Sequence, residues 1–523
     1  MPRLTLFPHP IRPPKPRLRS LCAALLIASQ LALPPLGQAQ LLPGMGDGEM
    51  TASAERRLGD QIARELYRDP DYIDDPVLVE YVQDIWQRLL AAARTRGDLT
   101  PELDERFAWM VLLGRDRSIN AFALPGGYLG LHLGLISATG SRDELATVLG
   151  HELSHVTQRH ISRIMAKQSR QMPLLLAGMI LGMIAAGKSR NPDAGQAVMM
   201  GSQAAFVQSQ LGFSRDMERE ADRVGFGVMT QAGFAPQGAA AMFEKLQYAS
   251  RLNDNGSYPY LRSHPLNSER ISDMQGRFQF KPGAEHAMQL VMDHAMIAAR
   301  ARVLSRPGVD VLRLWVNAAG AGEFARSSPA QQAGTLYAAA LSANELRDFK
   351  AARALAQRLV ARTSEDVAAS RLARLLAAEI ELAASDAPKA AALLDTKAKD
   401  RPEMLLAAQA AVATRNPAPM VAPLRDWVAQ HPRDATGWRT LANLYGAQND
   451  TLRAVRADAE ANVAVLDYAG ARDRLKAAQE LMRKSTEGQG GVPIDHYEAS
   501  IIDTRARAVE VLVKEQAAEA PLK

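Results

Sequence analysis

Two histidines stand four residues apart in the stretch Gly150-His151-Glu152-Leu153-Ser154-His155, and a glutamate follows the first. On a helix, residues i and i+4 lie one above the other, so His151 and His155 can turn both imidazoles toward one divalent cation. Glu152 sits about 100° round the same helix, where its carboxylate can take a proton from a metal-bound water. A zinc ion there lowers the pKa of the water towards neutrality and polarises a scissile carbonyl, while Glu152 passes the proton to the leaving amine. A random chain of this length would show H-E-x-x-H about once in a hundred, so chance remains the competing account.

A catalytic zinc takes a third protein ligand and leaves a fourth position open. His160 is a poor third ligand, because five residues past His155 it lies about 140° round the helix from it. The longer metzincin pattern needs a glycine and a spacing that this chain lacks, so a supporting place suits His160 better. The stretch "SRDMEREADRVG" offers more. Glu218 and Asp222 share a helix face there: Glu218 can complete a tetrahedron while Asp222 accepts a hydrogen bond from a ligand imidazole and fixes its tautomer. Charged residues on a helix otherwise form a solvated face, and the pairing with H-E-x-x-H is what favours the ligand role.

These side chains need elements to hold them. Ser141-Arg142-Asp143-Glu144 reads as a capping box that opens the motif helix. Leu145, Leu149, Leu153 and Val156 form an apolar stripe on it, with the two imidazoles about 140° away. Before it, residues 54 to 96 carry helical periodicity, and "FAWMVLL" and "INAFALPGGYLGLHLGLI" over 107–136 read as strands around a Pro125-Gly126-Gly127 turn. A further helix is framed by Ser214 at its start and by Gly233 and Pro236 at its end.

At 523 residues the chain predicts two or three domains, and its alanine-rich, aromatic-poor composition favours helices. Arg3, Arg12, Lys15, Arg17 and Arg19 precede "LCAALLIASQLAL" and a small-residue site at Gly37-Gln38-Ala39, the pattern of a secretory leader cleaved after Ala39. A membrane anchor fits less well, since the run holds Ser29 and Gln30 and ends at Pro34-Pro35. Those five charges equal the whole formal charge of +5, so the remainder is near neutral and a nucleic-acid partner loses its main support. The one cysteine, Cys22, falls in the leader; any metal beyond it must sit on His, Asp or Glu.

The uncharged run "MPLLLAGMILGMIAAG" over 172–187 is short for a span. It reads as a buried core helix, as a mobile apolar lid, or as a segment in contact with a membrane surface. Residues 40 to 55 read as a flexible start. Past residue 300, alanine-rich helices alternate with breaks at "SRPGVD", "RTSED", "RNPAP" and "HPRDA". Trp438-x-x-Leu441-Ala442-x-x-Tyr445 is near the pattern that opens a tetratricopeptide repeat, which predicts stacked helix pairs with a concave surface for ligands; a plain helical bundle is the alternative. "HYEASIIDTRARAVEVLVKEQ" reads as a terminal helix.

In order, "NAFALPGGYLGL", "DELATVLGHELSHVTQRH", "SRDMEREADRVG" and "LRSHPLNSER" resemble the M48 family of zinc metallopeptidases, in particular its periplasmic members with a helical-repeat tail. The resemblance implies an α+β fold: a mainly helical zincin-type metalloprotease domain with a small β-sheet, followed by an all-α tetratricopeptide-like solenoid. It divides the chain into a signal peptide (1–39), a metallopeptidase domain (40–280), a repeat domain (300–485) and a C-terminal tail and helix (486–523). It implies Zn2+ held by His151, His155 and Glu218, catalysis by Glu152 and support from Asp222. His264 would close the fourth position or act in the transition state. Asn120, Ala121 and Phe122 fall in the family's edge strand, where an extended substrate pairs through its main chain. The implied function is a periplasmic zinc endopeptidase acting on unfolded or misassembled outer-membrane proteins and meeting their assembly machinery, with repeat-mediated chaperone or recruitment activity. The rival is a chaperone or scaffold with a latent metal site.

Overall fold

Thr51 accepts a hydrogen bond from the Ala54 amide and opens the described part of the chain, which in this computed structural model comprises residues 50–166, 214–251, 258–279, 291–486 and 495–519. The expected leader and the apolar run at 172–187 lie outside the described residues. Thr51 caps helix α1 (Ala52–Arg68). The helical pattern expected over 54–96 is interrupted, because Asp75 caps a separate helix, α2 (Pro76–Arg96), with Pro76 in its first turn. Strand β1 (Tyr72–Ile73) fills the break, and α3 (Pro101–Arg106) follows α2.

Strands β2 (Met110–Gly114), β3 (Ala121–Leu124) and β4 (Tyr128–His132) complete a four-stranded sheet in the order β1-β2-β4-β3. β2 runs parallel to β4, and β3 returns antiparallel to it, leaving β3 at an edge. The strand expectation over 107–136 is corrected at its end: residues 133–138 form a helix, α4 (Leu133–Ala138). Leu133, Leu135 and Ile136 are all buried, and periodicity cannot tell a short enclosed run in a strand from one in a helix.

Ser141 accepts from the Glu144 amide at 3.1 Å and caps α5 (Arg142–Thr157), the motif helix. The Glu144 carboxylate takes the Gly140 amide at 2.6 Å and Lys245 Nζ at 2.5 Å. Every residue of α5 from Glu144 onward is buried, so the imidazole face is as enclosed as the leucine stripe. Next come α6 (His160–Ala166), α7 (Arg215–Gln231) capped by Ser214, α8 (Gln237–Arg251), the single turn α9 (Tyr260–Ser263) and α10 (Ser268–Gln279).

The rest is helical. Helices α11 (Met292–Leu304), α12 (Val309–Ala318), α13 (Pro329–Glu345), α14 (Phe349–Thr363), α15 (Val367–Ala383) and α16 (Ala387–Ala392) pack largely on their neighbours in sequence. So do α17 (Arg401–Ala413), α18 (Ala418–Gln430), α19 (Ala435–Ala447), α20 (Thr451–Ala464), α21 (Tyr468–Thr486) and α22 (His496–Glu519). A break falls at each of the four loop signals, and others fall between them. The fold is thus α+β with a helical C-terminal solenoid. One apolar core runs through both parts, from Trp86 on α2 and Leu149 on α5 to Leu336 on α13 and Leu405 on α17.

Candidate metal centre

Helices α5 and α7 cross backbone to backbone at Gly150 and Gly225. A Cβ added to Gly225 would lie 2.9 Å from the Gly150 carbonyl, and one added to Gly150 would lie 3.1 Å from the Gly225 oxygen. Only glycine allows this approach, and it sets His151 of α5 opposite Glu218 and Asp222 on the first turns of α7.

The donor atoms that result form a tight group. His155 Nε2 lies 3.0 Å from His151 Nε2, and Glu218 oxygens lie 3.6 Å from His151 Nε2 and 3.5 Å from His155 Nε2. Tetrahedral zinc ligands at about 2.0–2.2 Å stand about 3.3–3.6 Å apart; the two carboxylate separations fall in that range, and the two imidazole nitrogens stand closer than it. The hydrogen-bond partners point the same way. Asp222 Oδ1, which only accepts, lies 3.0 Å from His151 Nδ1 and holds the proton there. His160 Nε2 lies 3.0 Å from Glu220 Oε2, so its Nδ1 accepts from His155 Nδ1 at 2.8 Å. Both rings therefore present bare Nε2 lone pairs to one another, an arrangement that a cation between them would stabilise. His160 is thus a partner of His155, and Arg163 braces the chain by donating to Glu220 at 2.8 Å.

Glu152 is completely buried, and its oxygens differ. Oε2 accepts from the Ala123 amide on β3 at 2.9 Å, whereas Oε1 has no hydrogen-bond partner and lies 3.4 Å from His264 Nε2. Burial raises the Glu152 pKa, against the pull of His264 and His151. Burial would raise Glu218 too, but His264, His151 and Arg270 outweigh it and the net shift is downward. Asp222 is held at about 2: burial opposes, and the hydrogen bonds from Arg270 and His151 prevail.

His264 completes the cluster. Its Nδ1 lies 3.0 Å from Glu218 Oε1 and 3.3 Å from His151 Nε2, so His151, His155, Glu218 and His264 together offer one donor set. The Tyr260 ring stacks on it with centroids 4.7 Å apart, and the Tyr260 amide donates to Ile119 O at 3.3 Å. The α9 turn therefore lies against the chain that leads into β3. Along that chain Asn120 O accepts from the His132 amide, and by the alternation of an antiparallel ladder Phe122 also faces β4. Ala121 and Ala123 direct their backbone groups to the other side; both side chains are buried. Of the three expected edge positions, only Ala121 turns its backbone toward the open side.

Arg270 on α10 escaped the sequence reading, although it ends the quoted stretch "LRSHPLNSER". Among the described residues it is the cation that touches both α7 carboxylates, and an arginine near a loop carries no periodic signal that would have singled it out. Gly225 also went unnoticed; its signal is a glycine inside a helix, which marks close packing.

Peptidase family M48 matches residues 79–278. The β-barrel assembly-enhancing protease of Yersinia pestis is 30% identical over 457 residues, 84% of this chain and 89% of that protein. Its namesake in Escherichia coli (strain K12) is 30% identical over 465 residues, covering 85% and 90%. The mitochondrial metalloendopeptidase OMA1 of Arabidopsis thaliana is 29% identical over 208 residues, covering 39% and 36%. Identity at this level over most of both chains, added to the match across α5 and α7, establishes that the chain belongs to peptidase family M48 and is a metalloendopeptidase.

Proposed function

We propose that this chain is a periplasmic zinc endopeptidase that cleaves unfolded or misassembled outer-membrane proteins, with a repeat region that recruits or chaperones them or meets their assembly machinery. The names of the two bacterial relatives, the leader-like N-terminus and the helical solenoid support this reading. In it, residues 1–39 are a signal peptide, 40–280 the peptidase domain, 300–485 tetratricopeptide-like repeats and 486–523 a tail and helix. His151, His155 and Glu218 hold zinc, and Asp222 orients His151. A bound zinc would supply Lewis acidity to water and to the scissile carbonyl. Glu152 takes the water proton on Oε1 and carries it to the leaving amine, while the Ala123 amide keeps its other oxygen still.

That split in Glu152, one oxygen anchored and the other unpartnered beside the donor set, is the observation that carries the reading. The test is cleavage of an unfolded β-barrel substrate by the purified protein, with and without chelator, beside Glu152→Gln. Both treatments should abolish cleavage. Activity that survives the chelator, or a fully active Glu152→Gln, would sink the mechanism.

His264 favours a second reading for the resting state, since its Nδ1 stands within the donor set. A fourth protein ligand closes the position that catalysis needs open, which gives a scaffold or chaperone with a latent site. If wild type and Glu152→Gln both suppress aggregation and neither cleaves, that reading stands.

A further inference from the structure

One guanidinium joins helix α7 to the loop that carries His264. Arg270 is 4% exposed. Its Nε and Nη2 donate to Asp222 Oδ2 and Oδ1 at 2.7 and 2.8 Å, a two-pronged grip on one carboxylate. Its Nη1 donates to the carbonyl of Pro265, next to His264, at 2.8 Å and lies 2.9 Å from Glu218 Oε2. The last contact has ion-pair distance without hydrogen-bond geometry, since Oε2 has no hydrogen-bond partner. Asn267 Oδ1 accepts from the Arg270 amide at 2.9 Å and fixes the start of the residue's own turn.

These contacts radiate to the donor set. Asp222 orients the His151 ring, so the fork on Asp222 acts on His151 at one remove. Glu218 Oε2 faces Arg270, and Oε1 faces His155 and His264. The Pro265 contact holds the stretch that carries His264. A planar fork can grip a carboxylate with two donors and reach a third and fourth group with the remaining nitrogen; an ammonium is a point charge and cannot span them.

We propose that Arg270 is the positioning residue that organises the metal centre, setting the orientation of Glu218 directly and that of His151 through Asp222. This rests on the reading that His151, His155 and Glu218 bind a metal ion. Arg270 touches no reacting atom; its effect is on how well the donors are aimed. Partners that orient metal ligands typically contribute about 10–100-fold to metal affinity.

The test uses the full chain and reads metal binding by zinc competition against a chromophoric chelator, with the visible spectrum of the cobalt(II)-loaded protein as a report on ligand geometry. Arg270→Lys keeps the charge and removes the fork; it should weaken zinc by about 10–100-fold and alter the cobalt bands. Arg270→Gln should lose at least as much. Wild-type affinity and an unchanged cobalt spectrum in Arg270→Lys would overturn the proposal. If both variants fail to fold while Asp222→Asn folds and still binds zinc, Arg270 is a determinant of the fold and the proposal also fails. A wild-type chain that binds no zinc refutes the metal reading itself, which separates the two failures.

Discussion

At the scale of single residues, His264 lies between the two carboxylates, with Nδ1 near Glu218 and Nε2 near Glu152. Burial would lower its pKa, but Glu152 and Glu218 raise it. An imidazole that occupies a donor position obstructs solvent and substrate alike, so His264→Ala is expected to raise basal cleavage of an unfolded substrate several-fold, at unchanged zinc stoichiometry. A fall in kcat with the metal retained would instead assign His264 to the transition state. The pairing of His151 with His155 and of Glu218 with Asp222 was legible in the sequence, because i,i+4 spacing fixes which side chains share a helix face; that the two pairs meet was implied only by the resemblance to the M48 family. Arg270 was not legible, because its partners lie about 50 residues earlier and no local spacing encodes that contact.

At the scale of elements, the crossing of α5 and α7 is the feature on which the donor geometry depends. Gly225→Ala would bring a methyl group to 2.9 Å from the Gly150 backbone, and backbone cannot move aside as a flexible side chain can. Overpacking of this kind costs about 1–3 kcal/mol. The helices should part, carrying Glu218 away from His151 and weakening zinc binding by tenfold or more, with helix content by circular dichroism kept. Gly446 on α19 is the control, since an added Cβ there meets nothing within 4 Å. Gly446→Ala should leave zinc binding alone and stabilise the chain by about 0.5–1 kcal/mol. Unchanged zinc affinity in Gly225→Ala would remove the crossing from the account. Helix ends were readable from Ser141, Ser214 and the four loop signals because caps are local chemistry. The crossing was not, since the sequence tells that a glycine is small but not which backbone lies against it. The α4 segment misled for the related reason that a fully enclosed apolar run has no period to read.

At the scale of the whole molecule, three arginines of the solenoid close on the acidic start of α2. Arg300 of α11 donates to Asp75 at 2.6 and 2.7 Å and to Glu379 of α15 at 2.9 Å. Arg371 of α15 joins Glu80 to Asp400. Arg401 of α17 joins Asp74 to Asp434, at 2.7–2.9 Å throughout. Because α2 also packs on α5 and α7, the solenoid and the donor set share one helix, and the apolar core that crosses them predicts that they unfold together. Arg401 and its two aspartates are partly exposed, so removing the arginine costs less than the about 3–5 kcal/mol of a fully buried pair, and Arg401→Met should lower the melting temperature of both parts in a single transition.

The response to acid follows from opposite shifts in this same contact. Burial pushes Asp434 up, yet hydrogen bonds from Arg401, the Gly437 amide and Trp427 outweigh it and the folded pKa falls below the ordinary aspartate value. Its contribution is therefore complete above about pH 4 and is lost as pH falls through the depressed folded value. At Glu80 burial outweighs Arg371 and the folded pKa is raised, so its charge opposes docking at neutral pH and protonation relieves that strain first. Above about pH 4 only the Glu80 change operates, so mild acid first stabilises the contact; below it the loss at Asp434 sets in. Thermal unfolding followed from pH 5 to 3 should show a steep loss of stability at the acid end in the wild type and a shallower one in Asp434→Asn, which starts less stable and has no carboxylate to titrate. Equal acid slopes in the two proteins would mean that Asp434 does not govern the acid sensitivity of the contact between the solenoid and α2.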